Sequence, residues 1–262
     1  MELPRSSKDV MDYLKGMAYY MKPKPSYYIT VSEKHSTIQT TFTPPLTFPE
    51  DCQYEMACSG VETYYSFPNI DGKNNKLQIS LDKGKTWIQL ELTTGCYEIE
   101  AINTSLKKLI KEKDASKDVE LCLAPNKNTL QSILTLKNVW ISFSDGEKGS
   151  LRTVIGFDAK VYKDGIHESE HTVNILRVNS IIIHCDIITL SRKNGIASPI
   201  IYSFFPNVSP GQKIVDRPKN LIYLPLTLSV ISQMTVWLTD QNDEPLDIRG
   251  EELTITFHIR AC

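Results

Sequence analysis

The residues of this chain that hold a proton, a metal ion or a nucleophile stand in few arrangements that could do work. His167 and His171 lie four apart in Gly165-Ile166-His167-Glu168-Ser169-Glu170-His171. On a helix that spacing would turn both imidazoles toward one metal ion. Lys163-Asp164-Gly165 just ahead is a turn signal, so the segment reads as a loop before a strand, with both rings in water. Asp240, Asp243, Glu244 and Asp247 offer the oxygen ligands that calcium prefers. The glycine and closing glutamate of a calcium loop are missing, and a polar turn is the simpler reading. In Asp247-Ile248-Arg249-Gly250-Glu251-Glu252 an arginine stands among carboxylates; it reads as a fork-shaped ion pair fixing a turn, with Gly250 taking a backbone shape other residues resist. His184 and Cys185 are neighbours in sequence, and neighbours on a strand point to opposite faces, so they cannot serve each other as base and nucleophile. There is no G-x-S-x-G elbow, no glycine-rich phosphate loop and no H-E-x-x-H pair. The expectation is a protein without catalytic residues, cofactor or bound metal, and not an enzyme.

The bulk numbers agree. The chain has 262 residues, 41% hydrophobic and 23% charged, with a formal net charge of -2. That near-balance speaks against a nucleic-acid binder, which carries a basic excess. Six cysteines (Cys52, Cys58, Cys96, Cys122, Cys185 and Cys262) include no C-x-x-C pair. Most lie in apolar stretches, where a thiol behaves as a small core hydrophobe, and reduced thiols inside a cell are expected. The first residues do not read as a signal peptide, and no apolar run approaches the ~20 residues of a membrane span.

Residues 1–25 read as an arm. Val10 to Met21 could form a short helix capped by Ser7 or Asp9, ended by Lys22-Pro23-Lys24-Pro25. The arm is either a plain terminus or a segment that docks on a neighbouring subunit. From Tyr27 strand signals dominate: Tyr27–Val31, Ser36–Phe42, Val119–Leu123, Thr135–Phe143, Val173–Leu190, Pro199–Phe205, Lys213–Asp216 and Leu221–Leu224. Leu77–Ser80 and Thr86–Leu92 flank Asp82-Lys83-Gly84-Lys85 and predict a hairpin. Ile99, Ile102, Leu106, Leu109 and Ile110 fall on one stripe and predict one amphipathic helix, with Lys107, Lys108, Lys111 and Lys113 on its wet side. Val230–Thr239 and Glu252–Ile259 alternate cleanly around a polar turn and read as a C-terminal hairpin. Many strands, one helix and no βαβ alternation predict an all-β antiparallel sandwich, one domain over residues 26–262.

Several segments in order resemble one family: Glu62-Thr63-Tyr64-Tyr65-Ser66-Phe67-Pro68-Asn69-Ile70-Asp71; Thr94-Gly95-Cys96-Tyr97-Glu98-Ile99; Asn128-Thr129-Leu130; Ile155-Gly156-Phe157; Asn174-Ile175-Leu176-Arg177-Val178-Asn179; Phe204-Phe205-Pro206 through Pro210-Gly211-Gln212; Ile222-Tyr223-Leu224-Pro225; and Asp247 to Glu252. The pattern is similar to the minor capsid, or penton, protein of Maverick/Polinton elements and adintovirus-like viruses. That resemblance covers about Phe42 to Arg260. It implies a jelly-roll capsid domain with the helix in a loop insertion. It also implies a homopentamer at icosahedral vertices beside a double jelly-roll major capsid protein. The location would be the virion, assembled in the host cytoplasm or nucleus, with no specific nucleic acid as partner. The family offers no catalytic residues to carry over.

A ring needs a face on each subunit that meets a different face of the next. The candidates are Tyr64, Tyr65, Phe67, Phe204 and Phe205, then Tyr13, Tyr19 and Tyr20 of the arm; the competing reading puts the loop aromatics in the chain's own core. The other function considered is a jelly-roll ligand-binding module of carbohydrate type. It would stack sugar on an exposed aromatic groove, and burial of Trp87, Trp140 and Trp237 together, with no exposed tyrosine groove, would remove it.

Overall fold

Eight strands in the order of a jelly roll form the frame of the molecule. The computed structural model describes residues 10–11, 25–49, 52–113, 118–143 and 149–262. The frame strands are β1 (Ser26–Glu33), β2 (Thr37–Thr47), β3 (Tyr54–Tyr64), β4 (Ile181–Cys185), β5 (Ile200–Phe204), β6 (Lys213–Asp216), β7 (Val230–Thr239) and β8 (Leu253–Ala261). One sheet runs β1-β8-β3-β6 and the other β5-β4-β7-β2, with every pairing antiparallel. The chain therefore changes sheet at almost every connection, which is how two Greek keys interlock into a jelly roll.

Period-two patterning builds the core between the sheets. Leu253, Ile255, Phe257 and Ile259 of β8 are fully buried, while Thr254, Thr256 and His258 alternate with them on the wetter face. Ile231, Met234, Val236 and Leu238 of β7 and Ile181, Ile183 and Cys185 of β4 meet them from the opposite sheet. Strand β3 runs through the middle of its sheet, although Ala57, Cys58, Ser59 and Gly60 give it weak strand character; a register irregularity opposite Thr256 and Phe257 absorbs the mismatch.

The connection from β3 to β4 holds a second hydrophobic core. Lys76–Ser80 pairs with Ile88–Glu91 and Trp140–Ser142, and Val161–Tyr162 extends that sheet. Glu120–Asn126, Gln131–Lys137 and Gly165–Glu168 form another. Helix α1 (Ile99–Lys113) buries Ile99, Ile102, Leu106 and Ile110. A single short turn, α2 (Arg152–Ile155), ends on Gly156 in the left-handed region at φ +82.

Most of the expected elements are present, but Tyr54–Tyr64 is a strand that the sequence did not announce, Thr135–Phe143 is divided at Asn138 between Gln131–Lys137 and Trp140–Ser142, and others differ. Val230–Thr239 and Glu252–Ile259 are not a hairpin: β7 pairs with β4 and β2, and β8 with β1 and β3, so the polar turn crosses between sheets. Its length lets it span the sandwich, which a tight hairpin turn cannot do. Of Val173–Leu190 only Ile181–Cys185 pairs as a strand, and of Leu221–Leu224 only Leu224, followed by Pro225. Gly165–Glu168 is itself a strand, not a loop.

Candidate functional site

The polar groups picked out by sequence do not converge. His167 Nε2 lies 2.7 Å from the Lys163 carbonyl and His171 Nε2 lies 3.0 Å from Asp158 Oδ1, so each ring has its own partner. A strand followed by a turn separates them, where a helix would have joined them. The acidic turn is equally committed. Asp240 is buried and its Oδ1 accepts from the amides of Asn242 (2.8 Å) and Glu244 (3.0 Å). Asp243 pairs with Lys193 at 2.7 Å, Glu244 with Lys73 at 3.6 Å, and Asp247 accepts from the Arg249 amide at 2.8 Å. Among the described residues no three His, Cys, Asp or Glu side chains stand where they could hold a metal ion.

Arg249 makes no fork with the neighbouring carboxylates. Its Nη1 donates to the Thr94 carbonyl, 3.1 Å away in the insert, and the backbone at this turn is left-handed, with φ of +54 at Arg249 and +76 at Gly250. His184 and Cys185 do face opposite ways: Cys185 is in the core, and His184 stacks on Trp237 with ring centroids 5.0 Å apart. His184 Nε2 meets Thr239 Oγ1 at 2.9 Å, and Nδ1 has no partner among the described residues. Burial holds this imidazole below its ordinary pKa of 6.5, with nearby Asp243 opposing and Lys193 reinforcing. Burial also raises the thiols of Cys58 and Cys185 to about 12, which leaves them protonated and unreactive.

The join between sandwich and insert is the best organised polar region. Asn69 donates from Nδ2 to the carbonyls of Tyr97 (2.7 Å) and Ile175 (3.0 Å), and its Oδ1 accepts from the Tyr97 amide (2.8 Å). One buried side chain thus ties together the chain leaving the sandwich, the residues just before α1 and the chain returning to it. Asp71 pairs with Arg177 beside it. Burial alone would raise the Asp71 carboxyl, but Arg177 and the Lys73 amide hold it below the usual carboxylate range. Ser66 Oγ donates to the Ile248 carbonyl at 2.8 Å, and Gln241 Nε2 to the Arg177 carbonyl at 2.9 Å. The cleft these groups leave, about 200 Å³, is lined by both signs of charge, already paired. The region works as a fastening.

Tyr65, Phe67 and Phe204 lie in the sandwich core. Tyr64 is partly open, and Phe205 is 72% exposed. Tyr13, Tyr19 and Tyr20 lie outside the described residues. Trp140 and Trp237 are half-buried and Trp87 more open; Trp237 is on the sandwich and the other two flank Gly84 in the insert, so the three share no groove. The sequence reading missed a set of exposed aliphatics: Ile222 (68%), Leu228 and Val230 along residues 217–230, and Leu190 (75%). Leu190 sits at φ +68. Apolar side chains in a polar, proline-broken connection were the signal that pointed to them.

The fold has a known counterpart. No family model matches the sequence, and no curated protein matches it. Among solved structures, the mavirus penton protein superposes over 91% of this chain and 100% of that chain, with a TM-score of 0.51 at 10% identity. Fragments of the Escherichia coli flagellar cap protein also match, at 13% and 14% identity over 82% of this chain, but TM-scores of 0.19 and 0.18 carry no argument. At 10% identity the likeness to the mavirus protein is one of fold.

Proposed function

We propose that this chain is a structural capsid subunit, a penton that closes icosahedral vertices, of the Maverick/Polinton kind. The observation that carries the reading is the eight-strand jelly roll interrupted between β3 and β4, in a chain whose fold matches a penton protein over that protein's whole length. The motif series from Glu62 to Glu252 supports the Polinton kinship.

On this reading the protein acts by association and not by turnover. Five copies form a ring, each presenting one face to a different face of the next. A double jelly-roll major capsid protein surrounds the ring, and the virion is the final location. Such an interface buries an apolar centre inside a polar rim. Phe205 and Tyr64 are the aromatic candidates that the chain's own core leaves free.

Native mass spectrometry of the purified protein over a range of concentrations tests this. The expected species is a closed ring of five. A chain that stays monomeric at the highest concentration reached would overturn the proposal.

A further inference from the structure

The connection from β4 to β5 carries a hairpin that stands outside both sheets of the sandwich. Arg192–Lys193 pairs with Ile196–Ala197 and with no other strand. Asn194 and Gly195 turn it at φ +52 and +82, the two positive values that a two-residue hairpin turn needs. The base is anchored on both sides. The Thr189 amide donates to the Pro225 carbonyl at 3.1 Å, and the Cys185 amide to the Pro199 carbonyl at 2.8 Å. Between these anchors, residues 190–198 hydrogen-bond to the rest of the described residues through one group. The Lys193 ammonium donates to Asp243 Oδ1 at 2.7 Å and to the Gln241 carbonyl at 3.0 Å. Arg192 and residues 194–197 are exposed. The hairpin is a self-contained flap with a single latch.

The latch shares a cleft with His184. His184, Trp237, Thr239, Lys193 and Asp243 line it together. His184 is 5% exposed, Thr239 occupies its Nε2, and Nδ1 has no partner among the described residues. A neutral imidazole suits this site and an imidazolium does not, because Nδ1 would then carry a buried proton with no acceptor. Its cross-strand neighbours, Ile200 on β5 and Trp237 on β7, are uncharged, as is Thr239. Burial opposes its protonation first; Asp243, in the turn after β7, favours it, and Lys193, on the flap, opposes it. One carboxylate thus stands between two cations that compete for it. The Lys193–Asp243 pair is the weaker hold, since the Asp243 side chain is 57% exposed and water screens it. The ring is the better held of the two, because the face of Trp237, 5.0 Å away, attracts an imidazolium.

We propose that protonation of His184 releases the flap: the imidazolium takes Asp243 as its counter-charge, Lys193 leaves for water, and residues 190–198 swing off the sheet on their two anchored ends. Water then reaches the ring and its ordinary pKa of 6.5 returns. Each opening takes up one proton, so below pH 6.5 acid favours the open flap by at most about tenfold per pH unit. The device is independent of ring formation and makes one face of the sandwich responsive to mild acid.

Limited trypsin digestion of the full chain reads the latch, because cleavage after Lys193 needs its side chain free of Asp243. The initial rate is divided by that of a synthetic peptide of residues 186–201 at the same pH, which cancels the protease's own pH dependence. The normalised rate is expected to rise by ~threefold or more between about pH 7.5 and about pH 5.5. His184→Gln, which stays neutral, should hold the low rate at both pH values. Asp243→Asn, which removes the latch, should give the high rate at both. Both variants are first shown to be folded by circular dichroism. A wild-type rate that does not change with pH would overturn the proposal, as would a rise that survives in His184→Gln. A rise that runs parallel to loss of the wild-type circular dichroism signal is general unfolding and would overturn it too.

Discussion

At the scale of the residue, the polar side chains of the join hold the fold together. Asn69 is the strongest instance, since it satisfies three backbone groups on two stretches of chain, at Tyr97 and Ile175, that no secondary structure pairs. Asn69→Ala is expected to cost about 2–3 kcal/mol in urea unfolding, because the buried amide and carbonyls it served lose their partners. A loss below ~0.5 kcal/mol would show that water replaces it freely. His184 has the opposite character. It is buried next to Trp237 with Nδ1 unpartnered, and its folded pKa lies below the ordinary 6.5. Below pH 6.5 the unfolded chain takes up a proton that the folded chain refuses, so stability should be level above pH 6.5 and fall as pH drops from 6.5 toward the folded pKa. His184→Gln should flatten that part of the stability–pH curve; a curve unchanged by the substitution would refute the assignment.

At the scale of the element, periodicity worked where one face is buried and failed where the environment is unusual. Helix α1 and the Lys76–Ser80 hairpin follow directly from the spacing of their apolar residues. Strand β3 does not, because a central strand covered on both faces needs small side chains as well as large ones, and Ala57-Cys58-Ser59-Gly60 carries no alternation. Partner choice is likewise absent from local pattern. The alternation of β7 and β8 is plain in the sequence, yet nothing in it says that they belong to opposite sheets. Gly156 illustrates an element end fixed by tertiary contact. A Cβ there would lie 2.2 Å from the His171 carbonyl oxygen, at φ +82. Gly156→Ala should therefore destabilise by about 3 kcal/mol or more, measured by chemical denaturation. An effect under ~1 kcal/mol would mean that the 156–171 contact yields easily.

At the scale of the whole molecule, two hydrophobic cores are fastened by Asn69, by the Asp71–Arg177 pair and by Arg249 on the Thr94 carbonyl. The thiols report on this arrangement. Cys58 and Cys185 lie on facing sheets inside the sandwich, while Cys96 and Cys262 are exposed. A thiol reagent should modify Cys96 and Cys262 promptly in the native protein and reach Cys58 and Cys185 only with global unfolding. Native labelling of Cys185 as fast as Cys262 would show a sandwich that opens locally.

The sequence by itself determined that this is an all-β antiparallel protein with one amphipathic helix, since burial on one face writes its period into the order of residues. It also carried the family pattern from which the jelly roll was expected. It left the candidate site largely unreadable. An aromatic in a loop has the same letter whether it fills the core, as Tyr65, Phe67 and Phe204 do, or stands in water, as Phe205 does. The two histidines kept helical spacing on a segment that is not a helix. Only the tertiary structure decided which strands share a sheet, that the insert has its own core, and that Leu190, Ile222, Leu228 and Val230 are exposed. The reason is physical: exposure and proximity depend on contacts between residues far apart in the chain, and no local spacing records them.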